Sequence, residues 1–341
     1  MHSLGRATSE MALLIAAASM APCAISPGET VLVYRLRGEI RPLLFWLGRD
    51  DVGGGHIRIR QSALSSPQWR QEIEVLFGSE PDRIPRHVNR WGYGLETSDW
   101  VSEQTTPRVA RTEFQGIMRH SPESSIREVT PDAGGTASGF RYNVARSVVL
   151  PAEAYHEIRI FTDSEDFYYR RPDRLLGRYR QCLAATPPLR SGRLPNDRLY
   201  AEPYGFLTAL SRLLGEVVDG IRRTPDAARR SRPSVMYVFN SRPYLLAVTG
   251  IRRVASFQGR YGELRVADLA IVEFRCFNTV KRTRTDFSLW TPLAGELKGL
   301  PVKILLQPRW WLRLQLDLDP ASSAVFLQPE RRAAASGKER P

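Results

Sequence analysis

From residue 32 onward, apolar and polar side chains alternate. Leu32, Tyr34, Leu36, Ile40, Leu44 and Trp46 share one parity, with Arg35, Arg37, Glu39 and Arg41 on the other. Period-two alternation buries one face of a strand and solvates its reverse, the signature of an antiparallel sheet. Pro42 donates no ladder hydrogen bond, so a bulge or edge is expected there. The run Arg49-Asp50-Asp51-Val52-Gly53-Gly54-Gly55 predicts a chain reversal. Alternation resumes at Ile57 and Ile59, against His56, Arg58 and Arg60, completing a long hairpin. Further strands are predicted over 72–77, 91–96, 112–119, 140–149 and 156–162, separated by polar, Pro- or Gly-containing stretches. In the last third, strands are predicted over 235–239, 244–249, 263–277, 285–290 and 302–306. Pro308 then turns the chain into a final strand in which Trp310, Leu312, Leu314, Leu316 and Leu318 alternate with Trp311, Arg313, Gln315, Asp317 and Asp319.

One segment breaks to helical period. Phe206, Leu207, Leu210, Leu213, Leu214, Val217, Val218 and Ile221 recur at 3.6-residue spacing, predicting an amphipathic helix over 204–223 whose stripe packs on a sheet. The pattern predicts a mainly β protein with minor α: curved antiparallel sheets or a half-open β-barrel, with that one long helix. Its organisation reads as a leader over 1–23, an N-terminal β region over 24–170 and a connector with the helix over 171–233. A C-terminal β region over 234–328 and a polar, disordered tail over 329–341 complete it.

Two stretches carry a resemblance. Residues 35–60, with the 77–96 stretch containing Asn89-Arg90-Trp91-Gly92-Tyr93, resemble uncharacterised exported bacterial proteins. Residues 286–319, reading FSLWTPLAGELKGLPVKILLQPRWWLRLQLDLD from Phe287, look like the end of periplasmic domains of unknown function with a curved antiparallel sheet. Together they cover about a third of the chain. The resemblance implies a half-open barrel or strongly curved sheet wrapped on a helix, and no established activity.

The N-terminus supports export. Met11 to Ala21 form an apolar stretch of h-region length, too short to span a bilayer, behind a single basic Arg6. Ala21 and Cys23 suit the −3 and −1 positions of a cleavage site. The competing reading is an apolar segment docked on the core. Periplasmic or secreted localisation follows from the first, with no transmembrane span after leader removal. Cys182 and Cys276 would then remain, either joined in a disulfide or as two buried thiols.

The formal charge of +13 invites a polyanion partner, but only four of the 49 basic residues are lysine and the arginines are spread along the chain. A solvated basic surface accounts for this equally, and no specific nucleic-acid partner is expected. Chemistry-bearing motifs are sparse. The histidines at 2, 56, 87, 120 and 156 have no metal-ligand spacing, and neither a nucleophile elbow nor a phosphate-binding loop motif occurs. No catalytic residue, metal or cofactor is assigned. The glycine run 53–55 reads as a hairpin turn rather than an anion cradle, since Asp50 and Asp51 would repel phosphate. The cluster Asp163-Ser164-Glu165-Asp166 reads as a solvated turn.

Trp46, Arg90, Trp91, Tyr93, Trp290 and Trp311 are the candidate ligand-binding residues. Aromatics beside strands either line a concave apolar site or fill the layer between sheet and helix. Arg90 offers a fork for an anion, or pairs with Asp50 or Asp51. Trp311 stands out because it falls on a polar face. The expected function is a non-enzymatic envelope protein binding a hydrophobic ligand or envelope component. The alternatives are an exported hydrolase acting on envelope or carbohydrate material, and a polyanion-binding protein.

Overall fold

The computed structural model describes residues 28–41, 46–84, 89–103, 106–119, 140–151, 153–170, 172–184, 191–193, 202–224, 232–239 and 242–323. Seven strands come first: β1 (Gly28–Ile40), β2 (Leu47–Ala63), β3 (Gln68–Ser79), β4 (Trp91–Glu103), β5 (Thr106–Arg119), β6 (Phe140–Leu150) and β7 (Glu153–Asp163). Helix α1 (Pro172–Ala184), the short β8 (Ser191–Arg193) and helix α2 (Phe206–Arg223) follow. The chain closes with β9 (Ser234–Phe239), β10 (Arg242–Gln258), β11 (Arg265–Asn278), β12 (Arg284–Pro292), β13 (Lys303–Arg309) and β14 (Leu312–Leu318).

All of these strands form one antiparallel sheet, ordered β8-β7-β6-β5-β4-β3-β2-β1-β14-β13-β12-β11-β10-β9. The first and last strands pair with each other, from Tyr34↔Leu318 to Ile40↔Leu312, so the sheet's edges come from mid-chain. Those edges curl together. Val238 of β9 packs on Val149 and Ala154, and Phe239 meets Phe114 at 6.0 Å. The result is a nearly closed, barrel-like antiparallel sheet, in line with the alternation of the sequence.

Helix α2 runs inside it. Twelve of its residues are buried, and its apolar side chains share one core with β1–β5 and β9–β14, while Arg212, Glu216, Asp219 and Arg223 form a stripe that is not buried. Residues 206–211, which open the helix, are all buried, so the first N–H groups cannot be left to water. Its N-cap, Gly205, supplies no side-chain cap. Glu96 of β4 does so from the barrel wall: its two carboxylate oxygens accept the N–H groups of Leu207 (3.1 Å) and Thr208 (2.6 Å). A Cβ at position 205 would overlap that carboxylate, which is why glycine stands there. Burial pushes the Glu96 carboxyl above its ordinary range, against the hydrogen bonds from Thr208, Leu207 and Phe206 that favour its charged form.

The outer face is charged. Arg58 and Arg60 reach Glu29 at 3.2 and 2.9 Å, His56 and Arg58 reach Glu74, and Arg70 pairs with Asp99 at 2.7 Å. A transmembrane barrel needs the opposite arrangement, with an apolar band outside. Among the described residues, no helix is long and apolar enough to cross a membrane.

Four local expectations are corrected. The chain does not reverse at Gly53-Gly54-Gly55: β2 runs through them, paired on one side with Leu36, Arg35 and Tyr34 and on the other with Ser79, Gly78 and Phe77. Side chains at Gly53 and Gly55 would overlap the carbonyl oxygens of Gly78 and Leu76, so the run marks close backbone approach rather than a turn. The stretch read as connector contains α1. Pro308 lies within β13, at a register shift, and Trp310 and Trp311 form the following turn. The acidic cluster is a latch: Asp163 and Glu165 pair with Arg178 (2.6 Å) and Arg174 (3.2 Å) of α1, and Asp166 with Arg119. The leader and the tail lie outside the described residues.

Replacing Glu96 by Ala should lower stability by roughly 1–3 kcal/mol, the cost of leaving buried donors unpaired, measured by urea unfolding. Glu74 gives a pH signature. Burial raises its carboxyl, but His56, Arg58 and Arg60 outweigh this and hold it below the ordinary range. Its contribution is therefore present above the unfolded-state pKa and lost as pH falls through the lower folded value. Glu74→Gln should flatten the acid limb of the stability–pH curve.

Candidate functional site

Four of the five candidate aromatics separate into two groups. Trp91 and Tyr93 point outward from β4, opposite in parity to Glu96, and lie buried with Leu76, Tyr142, Phe167 and Tyr179. Helix α1 and the Phe167 segment cover them. The Trp91 indole N–H donates to the Phe167 carbonyl at 2.7 Å and its ring stacks on Tyr142 at 5.6 Å; Tyr93 meets Tyr179 at 5.7 Å. Burial raises the Tyr93 hydroxyl's pKa. Asn89 donates to Asp166 and to the Phe167 carbonyl, each at 3.1 Å. The Asn89-Arg90-Trp91-Gly92-Tyr93 run thus clamps α1 onto the barrel, and these aromatics fill the layer between sheet and helix. Arg90 sits beside this clamp, its backbone N–H donating to Ser79 Oγ at 2.7 Å. Asp50 and Asp51 are engaged by Arg37 and Arg260, and by Arg35 and Arg83, respectively.

Trp46 and Trp311 belong to one tip. Strands β1 and β14 end side by side at Ile40↔Leu312, and Arg41 N–H donates to the Trp311 carbonyl at 2.8 Å. Leu47 opens β2 opposite Ile40. Two hairpin ends are thereby joined, β1–β2 and β13–β14. Trp310 is 67% exposed, Leu47 51% and Ile40 48%, while Trp46 and Trp311 are half-buried between them. The Arg313 guanidinium lies 4.3 Å from the Trp46 ring centroid and that of Arg41 5.9 Å. Glu39 holds Arg313 at 3.2 Å and Arg37 at 2.8 Å. This is a firmly tied apolar surface framed by guanidinium groups, suited to binding without bond chemistry. Trp310 is its most exposed member, although the alternation points to Trp311.

Trp290 belongs to neither group. It sits on β12 with the Lys303 ammonium 5.1 Å over its ring, and burial lowers the Lys303 pKa. Cys276 is a buried free thiol, pushed up to about 12 by burial. A pocket of about 230 Å³ opens between α2 and β9, lined by Glu202, Tyr204, Arg212, Glu216 and Met236 among others. Arg212 holds the Glu202 carboxylate there at 2.8 Å. Among the described residues, no group of acidic, histidine or cysteine side chains is placed to hold a metal ion.

No family model matches the chain, and no curated protein matches it. In structure it is similar to a β-barrel-like protein of the domain of unknown function DUF1849 from Brucella abortus. The TM-score is 0.42 at 7% identity, over 86% of this chain and 97% of that one.

Trp91→Phe removes the indole donor while keeping the ring. A loss of about 1 kcal/mol in stability, the net worth of one hydrogen bond, is expected in urea unfolding, because the Phe167 carbonyl keeps Asn89 as a donor.

Proposed function

We propose that this is a non-enzymatic protein of the cell envelope, exported by its leader to the periplasm or beyond, which binds an apolar envelope component at the Ile40–Leu47–Trp310 tip. The observation that supports it is the exposure of three large apolar side chains on two hairpin ends tied together by the Arg41–Trp311 hydrogen bond. Water contact at such side chains is unfavourable by about 25 cal/mol per Å², so a partner that covers them gains that amount. The barrel interior is a poorer candidate, because α2 occupies it. A hydrolase reading has less support: Arg212 neutralises Glu202 in the pocket that carries a carboxylate pair. A general polyanion reading is weakened by the pairing of outer-face arginines with carboxylates.

Monomeric lysophosphatidylcholine, kept below its micelle concentration, tests the reading by tryptophan fluorescence and native mass spectrometry. The wild type should bind with a blue shift, and Trp310→Ser combined with Ile40→Ser should weaken binding by about tenfold or more, given ~1.5–3 kcal/mol per buried large side chain. A wild type that stays empty, or a double variant that binds equally well, would sink the proposal.

A further inference from the structure

The apolar tip has a neighbour of similar character at the same end of the barrel. Leu312 pairs with Arg309 of β13, Leu306 with Phe287 of β12, and Arg284 with Phe277 of β11. Following this register from Ile40 leads to the β11–β12 turn, where Val280 is 61% exposed. Four of the seven exposed large apolar side chains among the described residues, Ile40, Leu47, Val280 and Trp310, therefore stand on one rim. The β1–β2 and β11–β12 hairpins are four strand spacings apart along the curved sheet, about 19 Å.

The second turn is rigidly built. Asn278 Oδ1 accepts the N–H groups of Val280 (3.0 Å) and Lys281 (2.8 Å), and Arg282 N–H donates to the Asn278 carbonyl at 2.8 Å. Arg282 adopts φ 53°, a conformation in which glycine or asparagine would be less strained. The turn nonetheless carries Lys281, Arg282 and Arg284 in succession around Val280 and Thr283. None of the three, nor Arg49 on the first tip, has a carboxylate partner among the described residues. The nearest acids are already engaged: Glu39 by Arg37 and Arg313, Asp50 by Arg37 and Arg260, Asp286 by Arg275.

Uncompensated cations alternating with exposed aliphatic and indole groups match the interfacial layer of a membrane, where apolar tips enter the acyl boundary and cations meet phosphates. We propose that this rim seats the barrel on the surface of an anionic phospholipid bilayer, with the β1–β2/β13–β14 tip as its apolar anchor and the β11–β12 turn as its electrostatic one. The inference rests on the reading of the first tip as the binder of an apolar envelope component, and names the bilayer as that component. Two contacts about 19 Å apart along the sheet orient the barrel on the surface, while the charged outer wall stays in water.

The test uses the mature protein and flotation with vesicles of pure phosphatidylcholine, or of phosphatidylcholine with roughly one-third phosphatidylglycerol, the latter giving a surface that attracts cations. Binding should require phosphatidylglycerol and weaken with salt. Lys281→Gln with Arg284→Gln should reduce it about 25-fold, at roughly fivefold per basic residue. Arg253→Gln with Arg275→Gln, equal in charge but placed on carboxylate-paired arginines, should leave it nearly unchanged. Equal binding to both vesicle types, or equal losses in the two double variants, overturns the bilayer inference while the lysolipid result stands. Vesicles left unbound by a protein that takes up lysophosphatidylcholine overturn it in the same way. Failure with vesicles and lysolipid alike removes both readings.

Discussion

Twelve of the eighteen residues of α2 are buried in the apolar interior of the barrel, and the arrangement depends on what satisfies the first turn of that helix. Water cannot reach those N–H groups, and Gly205 has no side chain to offer them. Glu96 accepts them from β4, 111 residues away from Leu207 in the chain. The Ser98 hydroxyl, on the same inward face, bonds the hydroxyl of Thr208 and so continues the tie one step along the wall. Polar groups in a low-dielectric interior are stabilising only when all are paired. This set therefore positions α2 along and around its axis as well as holding it inside. With the helix seated, β9 lies against it, and the sheet edges approach each other.

The distribution of polarity follows from that filling. Because α2 supplies apolar surface to the inner faces of the strands, the outer faces are left to water, and they carry arginine–carboxylate ladders. Such exposed pairs contribute little individually, yet they neutralise much of the acidic and basic content locally. The excess of +13 is therefore not evenly available. At the β11–β12 turn, Lys281, Arg282 and Arg284 have no carboxylate partner among the described residues, and beside them Val280 is exposed. Surface chemistry becomes distinctive only at the rim, where strands end and ladders cannot continue.

Part of the candidate site is legible in the chain. Trp46 and Trp311 stand out as aromatics beside strands, and they do share a tip. Trp91 and Tyr93 carry the same signal and serve packing instead. Alternation alone does not separate the groups, since an outward position on β4 is covered by α1 whereas an outward position at a strand end is not. Glu96 gives no sign of its role, because a carboxylate in a strand is normally a solvated residue. Ile40 and Leu47 disappear into an extended first strand, since Asp50-Asp51-Val52-Gly53-Gly54-Gly55 has the composition of a turn. The glycines instead let neighbouring strands approach closely, and β1 ends earlier, at Ile40, with Leu47 opening β2 opposite it.

What the sequence determined by itself was the kind of structure: antiparallel strands by their parity, one buried helix by its period, and few catalytic motifs. These are local properties, set by spacing along the backbone whatever the neighbours are. Tertiary structure alone decided that β1 pairs with β14, that the helix lies within the sheet, and that Trp46 and Arg313 meet. Arg41 and Trp311 are hydrogen-bonded across most of the chain's length, and Tyr34 donates to the carbonyl of Pro301 over a separation of 267 residues. Contacts at such separation depend on which strand order buries the most apolar surface with every backbone group paired. That is a property of the closed sheet as a whole, and no window of the sequence contains it.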